Sequence, residues 1–272
     1  MFLKNIFLLK KSIKLVITRI SKFIQVPRES VYFYTFHKSA STLFSNLVLS
    51  NLTGLEKVDY ANMIYRGIPI KKIIFEKKGY VYGPIRLSIS PNAPEYEMFV
   101  KLLSNTSFIQ NKIAVFFIRD PRDIIISAYH SFGYTHGFSP VKEIRGNQEK
   151  KQNEIQQKTV DEYALETAPT ILKHFQLLDT LNQNCNRSIV LKYEDMIDNW
   201  SFFSKRLNKY IHVKKNILNQ LYEETRPLEI PNETSHRRSG KTNQYKNQLS
   251  PETIKSLNNT FKEILARFNY ED

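Results

Sequence analysis

Lys38, Ser39, Ser41 and Thr42 stand together in the polar stretch HKSAST and supply one cation and three hydroxyl donors. Residues 31–36 before them are β-branched and aromatic, which suits a short buried strand. After them Leu43, Phe44, Leu47 and Val48 recur at helical spacing. Strand, tight polar loop and helix, in that order, turn unpaired backbone N–H groups toward whatever the loop holds, an arrangement suited to an anion as rich in oxygens as phosphate or sulfate. The same hydroxyls can equally cap an ordinary core helix. The loop lacks the G-x-x-x-x-G-K-[ST] spacing of a nucleotide-binding P-loop.

A second corner of the same kind follows. Residues 113–118 (IAVFFI) are a near-continuous apolar run, as expected of a central parallel strand buried on both faces. RDPRD closes it, with Pro121 suited to a first helical turn and Asp123 to a helix N-terminus. Arg119 and, two turns further on, Ser127 would converge on one phosphate if the chain turns sharply at Pro121. Alternatively, Arg119 and Arg122 simply pair with Asp120 and Asp123. A third buried strand, residues 188–192, ends in Tyr193-Glu194-Asp195, at the edge where parallel α/β sheets bind ligands. Residues 227–241 read as irregular and basic, with Arg238, Ser239 and Gly240 among them.

The elements that must carry these residues are those of one α/β domain. The chain has 272 residues, 41% of them hydrophobic, enough for a sizeable core. The formal net charge of +14 implies an anionic partner without choosing one. Cys185 is the one cysteine, so an internal disulfide and a cysteine-based metal cluster are excluded, and a reducing, cytoplasmic setting is compatible. Residues 1–28 carry seven positive charges and no acid, with apolar residues at helical spacing opposite most of the lysines. They read as a basic amphipathic helix, either lying at a membrane surface or packed on the domain or a second subunit. No uncharged run there approaches a membrane span, and lysines interrupt every stretch that a cleaved signal peptide would need.

Elsewhere the pattern predicts short strands at 70–75 and 80–82, the latter broken by Gly83-Pro84, and a short helix at 95–103. A long mobile loop is expected over 133–153. Helices are expected over 159–182, 200–210, 214–223 and 251–268.

Taken in order, these segments resemble the PAPS-dependent sulfotransferases (PAPS is 3′-phosphoadenosine 5′-phosphosulfate). The family's phosphosulfate loop reads roughly T-x-P-K-S-G-T-T-W, and residues 35–43 read TFHKSASTL. Its 3′-phosphate motif, R-[ND]-P-[KR]-D-x-x-x-S, is matched throughout by RDPRDIIIS at 119–127. Tyr193-Glu194-Asp195 follows the later strand as in the family, and Arg238-Ser239-Gly240 with Tyr245-Lys246-Asn247 matches R-K-G-x-x-G-x-W-K-N in part. The resemblance implies a central, mostly parallel β-sheet flanked by helices, a P-loop-like sulfotransferase fold over residues 29–272. It implies an enzyme moving a sulfuryl group from PAPS to a hydroxyl acceptor (carbohydrate, lipid or small metabolite), with no metal and no nucleic acid partner.

Carried over by position, Lys38, Ser39, Ala40, Ser41 and Thr42 would hold the phosphosulfate. Arg119 and Ser127 would bind the 3′-phosphate, with Arg238, Ser239 and Gly240 closing over it, and Tyr193 would lie by the adenine. Lys38 would meet the charge growing on the departing phosphate oxygen. The chain departs from the family at Ala40 (usually Gly), Leu43 and Tyr245 (usually Trp) and Tyr82, where many members have a His two residues before a Pro. An ordinary Tyr, with a pKa of about 10, is a poor base at neutral pH, and Glu76, His130 and His136 are the substitutes. Two rival readings stay open: an ATP-using kinase with an altered phosphate loop, and a non-catalytic basic module binding membrane or nucleic acid.

Overall fold

The β-branched and aromatic runs become strands of one sheet. The computed structural model describes residues 28–70, 72–86, 104–226 and 240–270. Five parallel strands lie in the order β2-β3-β1-β4-β5: β1 (Val31–Thr35), β2 (Glu56–Val58), β3 (Tyr80–Arg86), β4 (Ile113–Ile118) and β5 (Arg187–Lys192). The readings of residues 1–27 and 95–103, and the site residues Arg238 and Ser239, lie outside the described residues.

Side-chain alternation along β1 and β4 builds a core on each face. Val31, Phe33, Val115 and Phe117 join Phe44 of α1 (Ser41–Leu47), with Phe33 and Phe44 stacked at 4.8 Å. Tyr32, Tyr34, Phe116 and Ile118 face the other way, toward Ile124 of α4 (Pro121–His130) and Phe175 of α6 (Val160–Gln183). The helices after the two neighbouring strands β1 and β4 therefore leave to opposite faces. That divergence opens a crevice at the carboxyl edge between them, the switch point where such sheets take ligands. α6 starts with a capping box between Thr159 and Glu162 and accommodates Pro169. α11 (Pro251–Arg267) packs on it through Leu257, Phe261 and Leu265.

Three expectations are corrected. Gly83-Pro84 does not end β3. Tyr32 pairs with Tyr82 and Tyr34 with Ile85, so two steps of β1 face three of β3, and the glycine and proline occupy that bulge. Only glycine fits position 83, where φ is +145° and a Cβ would lie 2.7 Å from the Phe33 carbonyl oxygen. The strand runs on to Arg86.

Residues 72–75 form no strand. Ile74 instead uses both backbone groups on the Tyr60 hydroxyl, donating at 3.1 Å and accepting at 2.9 Å.

Residues 133–153 are not a long loop. After a π-helical turn (Ser131–Thr135) and a short connection, α5 (Lys142–Gln156) fills most of them. Its Lys, Glu and Gln are good helix formers, but only Ile155 is buried, so no apolar stripe announces it.

Candidate active site at the carboxyl edge of the sheet

The loop after β1 is held in an unusual backbone shape. Lys38 has φ 68° and Ala40 φ 55°, both left-handed, and residues with a Cβ adopt that region at a cost of about 1 kcal/mol or more each. The gain is a curled loop whose amide N–H groups converge ahead of α1. Ala40 is strained where the resembled family has Gly. The Ser39 hydroxyl is fully buried there and has no partner. Ser41 is buried, and its Oγ accepts from Arg86 Nη2 at 3.1 Å and Nε at 3.3 Å.

Lys38 points across the crevice. Its Nζ donates to Ser131 Oγ and lies 5.2 Å over the Phe132 ring. Burial, reinforced by the Arg86 and Arg119 charges, pushes its pKa down to about 8. At neutral pH it is a proton-bearing cation in a site short of counter-charge.

The loop after β4 separates its two arginines. Arg122 is fully buried and structural: Nε and Nη2 grip Asp120 at 3.1 and 2.8 Å, Nη1 donates to Asn258 at 2.7 Å, and the guanidinium stacks 4.2 Å from the Tyr245 ring centre. This ties the corner to α11 and makes Tyr245 a core residue. Arg119 instead lines the crevice. It donates to the Lys38 carbonyl at 3.1 Å, to the Lys241 carbonyl at 3.2 Å and to Asp123 at 3.2 Å, and its buried Nε has no partner. Tyr193 underlies it at 4.4 Å and donates its hydroxyl to the Gly240 carbonyl at 3.0 Å. Glu194, raised to about 7 by burial, accepts from the Asp120 N–H at 2.9 Å and the Tyr270 hydroxyl at 3.2 Å, locking the β5 and β4 ends together.

Lys38, Ala40, Ser41, Thr42, Arg119, Ser127, Tyr193 and Gly240 all line one cavity of about 1130 Å³, with Leu43 also at its wall. Ser39 stands behind its loop. Arg119 Nε, a buried donor without a partner at the edge of a large cationic cavity, is the donor chemistry of an oxyanion site, with the unpartnered Ser39 hydroxyl behind the adjoining loop.

The possible bases separate cleanly. Tyr82 is buried in mid-strand among Tyr32, Tyr60 and Phe75, its hydroxyl accepting from the Glu76 N–H at 2.7 Å, and burial pushes it up to about 12. It does not line the cavity. Glu76 is exposed and does not line it either. His130 and His136 both do, His130 pairing with Gln248 at 2.6 Å and His136 packing edge-on against Phe132.

Further residues reach the cavity, among them Arg86, Asp59 and His37. Arg86 was hidden by the apparent strand break at Gly83-Pro84. Asp59 follows β2, in a stretch with no readable pattern; its side chain caps α2 (Tyr60–Tyr65) by accepting from the Asn62 N–H at 2.9 Å. Burial holds Asp59 above the usual carboxylate range, against the pull of that N–H, Arg86 and Lys57. Burial, then the Arg86 and Lys38 charges, push His37 well below the usual imidazole value.

The family model of the sulfotransferase domain matches residues 35–269. No curated protein matches the chain. Among solved structures, mouse sulfotransferase SULT7A1 complexed with PAP is similar over 90% of this chain and 86% of that one, at 12% identity and a TM-score of 0.51. Retinol dehydratase in a complex with retinol and PAP is similar over 90% and 83%, at 13% identity and a TM-score of 0.50. At such identities the likeness is one of fold.

Proposed function

Because this chain belongs to the sulfotransferase domain family, we propose that it moves a sulfuryl group from PAPS to a hydroxyl acceptor, with residues 29–272 as the catalytic unit. One observation carries the assignment of the nucleotide site. The loop that holds Lys38 and the corner that holds Arg119 are joined directly, Arg119 Nη1 to the Lys38 carbonyl at 3.1 Å, and both side chains line one cavity. PAPS supplies an activated sulfuryl group flanked by charged oxygens, and the buried unpartnered donors suit it. The PAP bound in both similar structures supports the choice of nucleotide.

In this reading Lys38 and the N–H groups of residues 40–42 stabilise charge that grows on the departing phosphate oxygen, and Arg86 adds a second cation beside Ser41. Arg119, Ser127 and Gly240 hold the 3′-phosphate end, with Arg238 and Ser239 assigned to the same end by sequence alone, and Tyr193 lies at the adenine. The work is positioning and charge stabilisation, as expected of a loose in-line transfer.

We assign the acceptor's proton to Asp59, which follows β2 and is one of two carboxylates lining the cavity among the described residues, the other being Glu224 of the helix Lys215–Thr225. Asn caps a helix as well as Asp does, so Asp59→Asn leaves α2 intact. Transfer should fall about 10²–10⁴-fold with unchanged PAP affinity and thermal stability; a fall under threefold would remove Asp59 from the role.

Calorimetry with PAP against ATP tests the nucleotide assignment. PAP should bind at least tenfold more tightly; ATP binding as tightly would favour the kinase reading, and neither binding would favour a non-catalytic module. Among the described residues no helix is long and apolar enough to cross a membrane. A cytoplasmic setting, with peripheral membrane contact through residues 1–28, rests on the single cysteine and the basic N-terminal pattern.

A further inference from the structure

The sheet order divides the cavity. β1, with Lys38 at its end, is central; Arg119 follows β4 and Tyr193 follows β5 on one side, leaving the ends of β3 and β2 on the other. On the sulfotransferase reading above, on which this inference rests, the nucleotide takes the β4–β5 side and the acceptor takes the β3–β2 side.

That second half has a built wall. Ile144, Asn147, Gln148 and Lys151 stand at i, i+3, i+4 and i+7 of α5, one helix face, and all four line the cavity. Opposite, α2 and its C-cap contribute Asn62, Tyr65 and Arg66. Hydrogen bonds join the two sides: the Tyr65 hydroxyl donates to the Gly137 carbonyl at 2.8 Å, Gln148 Nε2 donates to the Tyr65 hydroxyl at 3.4 Å, and Ser139 Oγ donates to the Tyr65 carbonyl. Small-molecule pockets are mostly apolar with a few polar groups. Beside the apolar Ala61, Ile64 and Ile144, this one carries an unusual share of positive charge. Three amides (Asn62, Asn147 and Gln148) and the Tyr65 ring share it with four cations (Lys57, Arg66, Arg86 and Lys151), against two acids among the described residues, Asp59 and Glu224, in the lining of the whole cavity. Amides suit vicinal hydroxyls, Tyr65 offers a sugar ring a stacking face, and the excess of cations suits carboxylates or sulfates.

We propose that the acceptor is an acidic saccharide, bound between α2 and α5 with its negative groups against Arg66 and Lys151. An apolar alcohol would bury the Arg66 and Lys151 charges with no opposite charge to meet them.

The test uses the full chain loaded with PAPS, a glucuronate-containing hexasaccharide, its carboxyl-reduced counterpart, and an apolar sterol. PAP calorimetry on the same preparation checks the nucleotide site, so failure of the underlying reading is seen separately. The acidic hexasaccharide should be sulfated with at least tenfold higher kcat/KM than the reduced one, and the sterol should be poorest. Arg66→Ala and Lys151→Ala should each raise KM for the acidic hexasaccharide about three- to tenfold and leave PAP affinity within twofold, with Arg66→Lys recovering part of the loss. Should no transfer occur while PAP binds, hexasaccharide binding to the PAP-loaded protein decides: no binding overturns the proposal, as would equal or better turnover of the reduced sugar or the sterol.

Discussion

Replacing Lys38 by Met should cost about 10²–10³ in sulfuryl transfer, the usual effect of deleting a donor aimed at developing negative charge, while making the protein more stable at neutral pH. The two effects share a cause. The folded-state pKa of Lys38 is about 8 against an ordinary value of 10.5, because its ammonium is buried near Arg86 and Arg119. Below pH 8 the lysine is charged in both the folded and unfolded states, and the fold bears the full penalty. Between about 8 and 10.5 the unfolded chain binds the extra proton, so stability rises with pH there and the penalty fades. Lys38→Met should therefore exceed wild type by on the order of 2 kcal/mol at pH 7, with the gap closing as pH passes through 8 toward 10.5. Denaturant melts across that range, together with transfer of label from PAPS to acceptors in an extract of the protein's own cells, measure both. Activity within threefold of wild type would remove Lys38 from the chemistry; a stability gap constant with pH would remove the strained-cation account.

Arg119 should separate nucleotide selection from stability. Wild type should prefer PAP to adenosine 5′-monophosphate, which lacks the 3′-phosphate, by about 10–100-fold, the worth of charge-assisted hydrogen bonds. Arg119→Lys keeps the charge and loses the planar fork, so most of that preference should vanish while affinity for the monophosphate changes little. Arg119→Ala leaves Asp123 in a fully buried position with only the Tyr245 N–H at 3.1 Å to satisfy it, and should unfold about 3–5 kcal/mol more easily. Calorimetry with the two nucleotides checks the first result and thermal melts the second. Retention of the preference in Arg119→Lys would show that Arg119 serves the structure alone, through Asp123 and the Lys38 and Lys241 carbonyls.

Much of the site was legible because it is local. Residues 31–44 and 113–127 each run from buried strand through a short corner into a helix, and such runs can be read from side-chain type and spacing without knowing what packs on them. The observed β1–α1 and β4–α4 units follow that reading closely, and the helices at 159–182, 200–210 and 251–268 were equally plain from their apolar stripes. α5 was misread for the complementary reason. Its inward face meets the open cavity rather than a core, so the periodic signal that marks a buried helix is missing and only the helix-forming composition of KEIRGNQEKKQNEIQ hints at it.

The sequence by itself determined which residues stand at the two corners, since strand and helix periodicity are properties of neighbours along the chain. Only the tertiary structure decided how the corners are used. It tied Arg122 to Asn258 of α11 in the core while turning Arg119 to the cavity. It carried β3 through a bulge to place Arg86 beside Ser41, and brought Asp59, α2 and α5 around the far half of the cavity. Those outcomes depend on contacts between residues tens to more than a hundred positions apart, and no local pattern encodes them.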